Sequence, residues 1–168
     1  MIWPFKSRAE KVFDEIKVFE TRLNHALVPF LKQPEKPIAA NGALMAMAIN
    51  MALHFLAIRG PAVFEKVSFE VVAYAAPAFG SAVALASKGK VRVEDATHII
   101  LHEIQESREA YSDALFESPP TRSLQLCLDI LLERSGGWGF ESEVERASAI
   151  VVLTSELQRL IRRYKTIL

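Results

Sequence analysis

Glu94, His98, His102 and Glu106 recur at every fourth position of Glu94-Asp-Ala-Thr-His-Ile-Ile-Leu-His-Glu-Ile-Gln-Glu106. Imidazole and carboxylate together are the donor set of a zinc, iron or manganese site. On a helix this spacing puts all four on one slowly drifting face, where two imidazoles one turn apart can share a divalent ion. The known helical patterns are incomplete here. His-Glu-x-x-His needs a second histidine where Glu106 stands, and His-x-x-Glu-His needs a glutamate where Leu101 stands. A di-metal bundle needs two Glu-x-x-His pairs, and only Asp95-x-x-His98 approximates one, so His25 and His54 would have to arrive from other helices. The opposite face carries Ala96, Ile100, Ile104, Tyr111 and Leu115, a core stripe that turns the histidine row toward water. There it would be ordinary polar surface, or a pH-sensitive contact, since free histidine titrates at about pH 6.5.

Three other groups stand out. Asn50 and His54 lie one turn apart in an otherwise uncharged helix, where they either bond to each other or to a neighbouring helix, or line a pocket or channel. Trp138 and Phe140 sit in Ser135-Gly-Gly-Trp-Gly-Phe140, either pinning an interhelix turn or forming an exposed interface tip. Cys127, the single cysteine, lies among large aliphatics, so it reads as a core residue and not a reactive thiol. No phosphate loop, dinucleotide fingerprint or nucleophile elbow is present, and no catalytic residue is nominated.

The elements that must position these groups read as helices. Apolar spacing of three and four dominates, and period-two alternation is nearly absent. The first helix runs from about Ser7, a plausible N-cap, to Leu31, with Val12, Ile16, Phe19, Leu23, Leu27 and Phe30 on one stripe and Gln33-Pro-Glu-Lys-Pro37 as its stop. The second spans about Ile38–Arg59 and the third about Ala62–Ser87, with a kink expected near Pro77 and Gly80. The fourth covers Val93–Phe116, the fifth follows Ser118-Pro-Pro-Thr121 to about Arg134, and the sixth covers about Glu141–Lys165. The fold class is therefore all-α: one domain over residues 1–168, a compact bundle of about six helices around an Ala/Met-rich central pair.

That central pair admits a second environment. Ile38–Ile58 is uncharged and long enough to cross a bilayer, and Val71–Ser87 is a second, shorter uncharged stretch. Residues 38–87 could therefore form a membrane hairpin, flanked by Lys32 and Lys36 before and Lys88, Lys90 and Arg92 after. Ala76, Gly80 and Ala84 give the small-xxx-small spacing of close-packed helices in lipid. Mean hydropathy of +0.17 fits either solvent. Alanine and methionine insert weakly, however, and Asn50 and His54 oppose insertion, which favours a bundle core. Trp3 and Phe5 could dock on the bundle, a partner or a membrane surface.

Twenty basic against twenty acidic side chains leave a formal charge of +0, which argues against a nucleic-acid partner. The leading expectation is a non-enzymatic interaction or assembly protein of the cytoplasm, a homo-oligomer or partner of another protein, associating through an alanine- or methionine-rich surface. The second is a membrane-associated protein whose hairpin enters the inner membrane with both ends cytoplasmic. The third is a metal-dependent helical enzyme using His98 and His102 with Glu94 or Glu106.

Overall fold

In the computed structural model, which describes residues 5–32 and 37–168, each apolar stripe becomes the buried side of a helix. The helices are α1 (Arg8–Leu27), α2 (Pro37–Arg59), α3 (Pro61–Ala86), α4 (Val93–Phe116), α5 (Pro120–Ser135) and α6 (Glu143–Ile167). No strand forms among the described residues; Leu31 and Phe140 make one isolated β-bridge. Trp3 and the expected stop at Gln33-Pro-Glu-Lys36 lie outside the described residues. Phe5 stands in solvent, 93% exposed.

Local chemistry sets the helix ends. Ser7 caps α1: its Oγ accepts from the Glu10 amide at 3.1 Å, while its own amide donates to the Glu10 carboxylate at 2.6 Å. The α-helix stops at Leu27, four residues before the expected end, and continues as a short 3-10 turn, Val28–Phe30. Pro29 is the reason, because it has no N–H to give to the carbonyl four residues back. The last helix starts at Glu143, two residues later than expected, because Ser142 is the residue whose Oγ receives the Glu145 amide. α3 runs unbroken through Pro77.

α2 touches every other helix and is the axis of the bundle. Met47 and Met51 are fully buried and Met45 is 7% exposed, so among the described residues the methionines fill the core and only the alanine-rich form of the expected contact surface is left. The central pair is uneven. In the most apolar window of α2 72% of residues are buried, against 33% in α3, which turns a long side outward. α1 and α6 close the bundle as an antiparallel pair. Arg22 grips Glu156 with two hydrogen bonds, at 2.7 and 3.0 Å, and Arg163 donates to Glu15 at 2.9 Å at the other end of the same seam.

Two buried tyrosines differ in one respect that predicts different stabilities. Tyr164 donates its hydroxyl to the Ala52 carbonyl of α2 at 2.8 Å, whereas the Tyr111 hydroxyl has no partner. A net hydrogen bond is worth about 1 kcal/mol, and an unmet buried hydroxyl carries its desolvation cost in the folded state. Tyr164→Phe is therefore expected to lose about 1 kcal/mol in urea denaturation, and Tyr111→Phe to be neutral or stabilising. Equal losses in both would refute the assignment.

Candidate functional site

The histidine row of α4 is positioned by the stripe behind it. Ala96, Ile100, Ile104 and Tyr111 are buried, which leaves Glu94, His98, His102 and Glu106 exposed along the outside. No three His, Cys, Asp or Glu side chains among the described residues form a group that could hold a metal ion. His25 is on α1, which does not touch α4. His54 lies against Phe116, fourteen residues beyond His102 and so about 21 Å along the helix axis. The expected metal centre at Glu94, His98, His102 and Glu106 thus lacks convergence, because one helix face supplies a line of ligands and no second element closes over it.

The interface expectation is corrected for Trp138. The glycine-rich turn folds inward: Gly136 ends α5 in the left-handed conformation (φ 73°), which suits a residue without Cβ. Ser135 Oγ then accepts from the Trp138 amide at 3.0 Å, and Lys32 donates its amide to Gly139 at 2.8 Å. Trp138 is only 8% exposed and Phe140 packs partly buried against the core, so the pair pins the turn. Cys127 is fully buried, and burial pushes its thiol up to about 12, far from a nucleophile.

The Asn50–His54 face does line a cleft. α2 forms its floor and α3 and α4 its walls. Asn50, 4% exposed, donates from Nδ2 to the Ile104 carbonyl and to Ser107 Oγ, each at 3.1 Å. Ser107 can accept because its own hydroxyl is spent on the Glu103 carbonyl at 2.6 Å. Asn50 Oδ1 has no partner. Asn50 and His54 do not bond to each other: the half-buried imidazole stacks edge-on with Phe116, ring centres 4.8 Å apart, and with Phe55 at 5.4 Å. Burial lowers the His54 pKa and so favours the neutral ring.

Two adjoining hollows of about 330 and 300 Å³ make up this cleft, sharing Leu53 and Arg108. The first is walled mainly by Phe69, Val72, Leu101 and Ile104; the second adds Asn50, His54, Ser112 and Phe116. Arg108 and Ser107 escaped the sequence reading. Ser107 had a signal, since it falls in register on the buried row Ile104–Ser107–Tyr111, where a polar group demands a partner. Arg108 had none, being one exposed arginine among many. The arrangement offers an apolar wall, a guanidinium, an imidazole and an amide, which is the composition of a binding site. No protein-family model, curated protein or solved structure matches the chain.

Proposed function

We propose that this is a helical interaction protein of the cytoplasm that assembles with itself through the outer side of α3. The observation that carries the reading is the uncharged stretch from Val71 to Ser87, folded with one side in solvent. Leu85 is 83% exposed and Tyr74 43%, and Pro77, Ser81, Ala82 and Ala86 are exposed beside them. A contiguous apolar surface of this kind marks a contact site, and its small residues permit close helix approach.

The charges at its ends point to a second copy of the chain. Glu65 and Glu70, with Lys66 between them, are exposed near the start of α3, and Lys88 and Lys90 just beyond its end. Two α3 helices packed antiparallel about a two-fold axis would set the two glutamates of each against the partner's pair of lysines. The membrane alternative draws on the same apolar side, but a hairpin insertion would also have to pull α2 away from the other four helices around it, α1, α4, α5 and α6.

Light scattering after gel filtration is the test. The wild type, purified without detergent, is expected at twice the 18.8 kDa chain mass, and Leu85→Glu at the chain mass itself. Lys88→Glu with Lys90→Glu should weaken the dimer at least tenfold, and adding Glu65→Lys with Glu70→Lys should restore it. A monomeric wild type, or a chain extracted only by detergent after a carbonate wash, would overturn the proposal.

A further inference from the structure

The cleft over α2 adjoins that dimer face at Phe69 and Ala73, and its lining selects a ligand. Its first hollow is apolar on both walls, with Val72 on α3 facing Leu101 and Ile104 on α4, and Phe69 at the rim. Its second hollow is polar at Asn50, His54, Arg108 and Ser112. Arg108 lines both hollows and is exposed. Arg108, like Arg8, Arg59, Arg122 and Arg162, has no acidic partner among the described residues, and of these it is the one that lines the cleft. A guanidinium offers five N–H donors in a fixed fork and has no acceptor, so the group it recognises is an anion, best a carboxylate.

Asn50 adds the opposite demand. Its two N–H groups are used on α4, and its carbonyl oxygen is a buried acceptor without a donor in a residue that lines the second hollow. Buried polar groups are nearly always satisfied, and an exception in a cleft wall asks what completes it. A ligand that fits must therefore be apolar along one part, anionic at Arg108, and carry a hydrogen-bond donor nearby for Asn50.

We infer that the cleft binds a medium-chain carboxylic acid with a hydroxyl close to its head group, the aliphatic chain lying between Val72 and Leu101 and the carboxylate on Arg108. His54, packed against Phe116, also lines the second hollow.

Titration calorimetry with three probes below their micelle concentrations tests this: 3-hydroxydecanoate, decanoate and decanol. The hydroxy acid is expected to bind at least tenfold more tightly than decanol and severalfold more tightly than decanoate. Arg108→Gln, on an exposed side chain, should erase the advantage over decanol while the melting curve stays unchanged. Ala73→Trp, which fills the first hollow from an exposed position, should abolish binding of all three. Equal affinity for the hydroxy acid and decanol, indifference to Arg108→Gln, or undiminished binding in Ala73→Trp would each overturn the inference. So would tighter binding to phosphatidylglycerol vesicles than to the free acid, which would mark the cleft as part of a lipid-facing surface.

Discussion

Replacing Gly80 by valine is expected to cost about 4 kcal/mol and to lower the melting temperature by about 10 °C in a chain of this size. The ordinary rule points the other way, because alanine in a helix interior is about 1 kcal/mol better than glycine. Contact geometry decides the sign. A Cβ at position 80 would stand 2.8 Å from the backbone nitrogen of Thr97 and 2.9 Å from its Cα, and closer still to its Oγ1. Backbone cannot rotate away as a side chain can, and the Thr97 hydroxyl is held on the Val93 carbonyl at 2.7 Å. α3 and α4 would have to separate along a shared seam, loosening the neighbouring contacts with it. Gly80→Ala should lose about 2 kcal/mol net of its helix gain. Thr97→Ala in that background should recover less than half, since it removes Oγ1 but neither backbone contact. Thermal and urea denaturation of the four chains measure this, and a Gly80→Ala variant as stable as wild type would show that the two helices are not locked at this point.

The same glycine shows what the sequence could and could not convey about the fold. Ala76, Gly80 and Ala84 signal from their spacing that two backbones come close, and all three are buried. Spacing does not name the neighbour, so lipid-embedded partners and an adjacent helix of the same chain read alike; the neighbour at Gly80 is α4. α4 itself was legible from end to end, because Glu94 and Asp95 favour its start and Ser118-Pro-Pro120 prevents its continuation. The end of α1 was misplaced, since a strong apolar stripe running on to Phe30 hid the effect of Pro29. Trp138 was ambiguous for a different reason. Whether a glycine-rich turn projects or folds back depends on Ser135 Oγ meeting the Trp138 amide, a contact between residues three apart that no periodicity encodes.

The cleft was half legible. Two polar residues one turn apart on an apolar helix announce a need for partners, and Asn50 finds them on α4. The more conspicuous histidine row proved to be the outer side of the very helix whose inner side supplies Ser107 and whose edge supplies Arg108. Chemistry-bearing residue types attract the eye on a solvated face, where they are common. A serine inside a leucine-isoleucine stripe is rarer and says more.

Glu20 is the one buried carboxyl of α1 without a cation among the described residues: Arg159 and Arg163 of α6 serve Glu15, and Arg22 of α1 reaches across to Glu156 of α6. Burial, partly offset by a hydrogen bond from Asn24, raises its pKa from 4.5 to about 7. The folded chain then holds this proton where the unfolded chain has released it. Below about pH 4.5 both states are protonated and the group contributes nothing against folding. Between about pH 4.5 and pH 7 the unfolded state binds fewer protons, so stability falls as pH rises, and above about pH 7 the loss is complete. At about 1.4 kcal/mol per pH unit the full effect is about 3 kcal/mol. Glu20→Gln keeps the shape and the Asn24 contact but does not titrate. It should match the wild type at pH 4 and exceed it by up to about 3 kcal/mol at pH 8, with the gap opening through that window. Urea midpoints of both chains across pH isolate this group, because every other titration is common to the two. Parallel curves would mean that the Glu20 carboxylate is solvated or paired in the folded protein, and that α1 does not press it out of water.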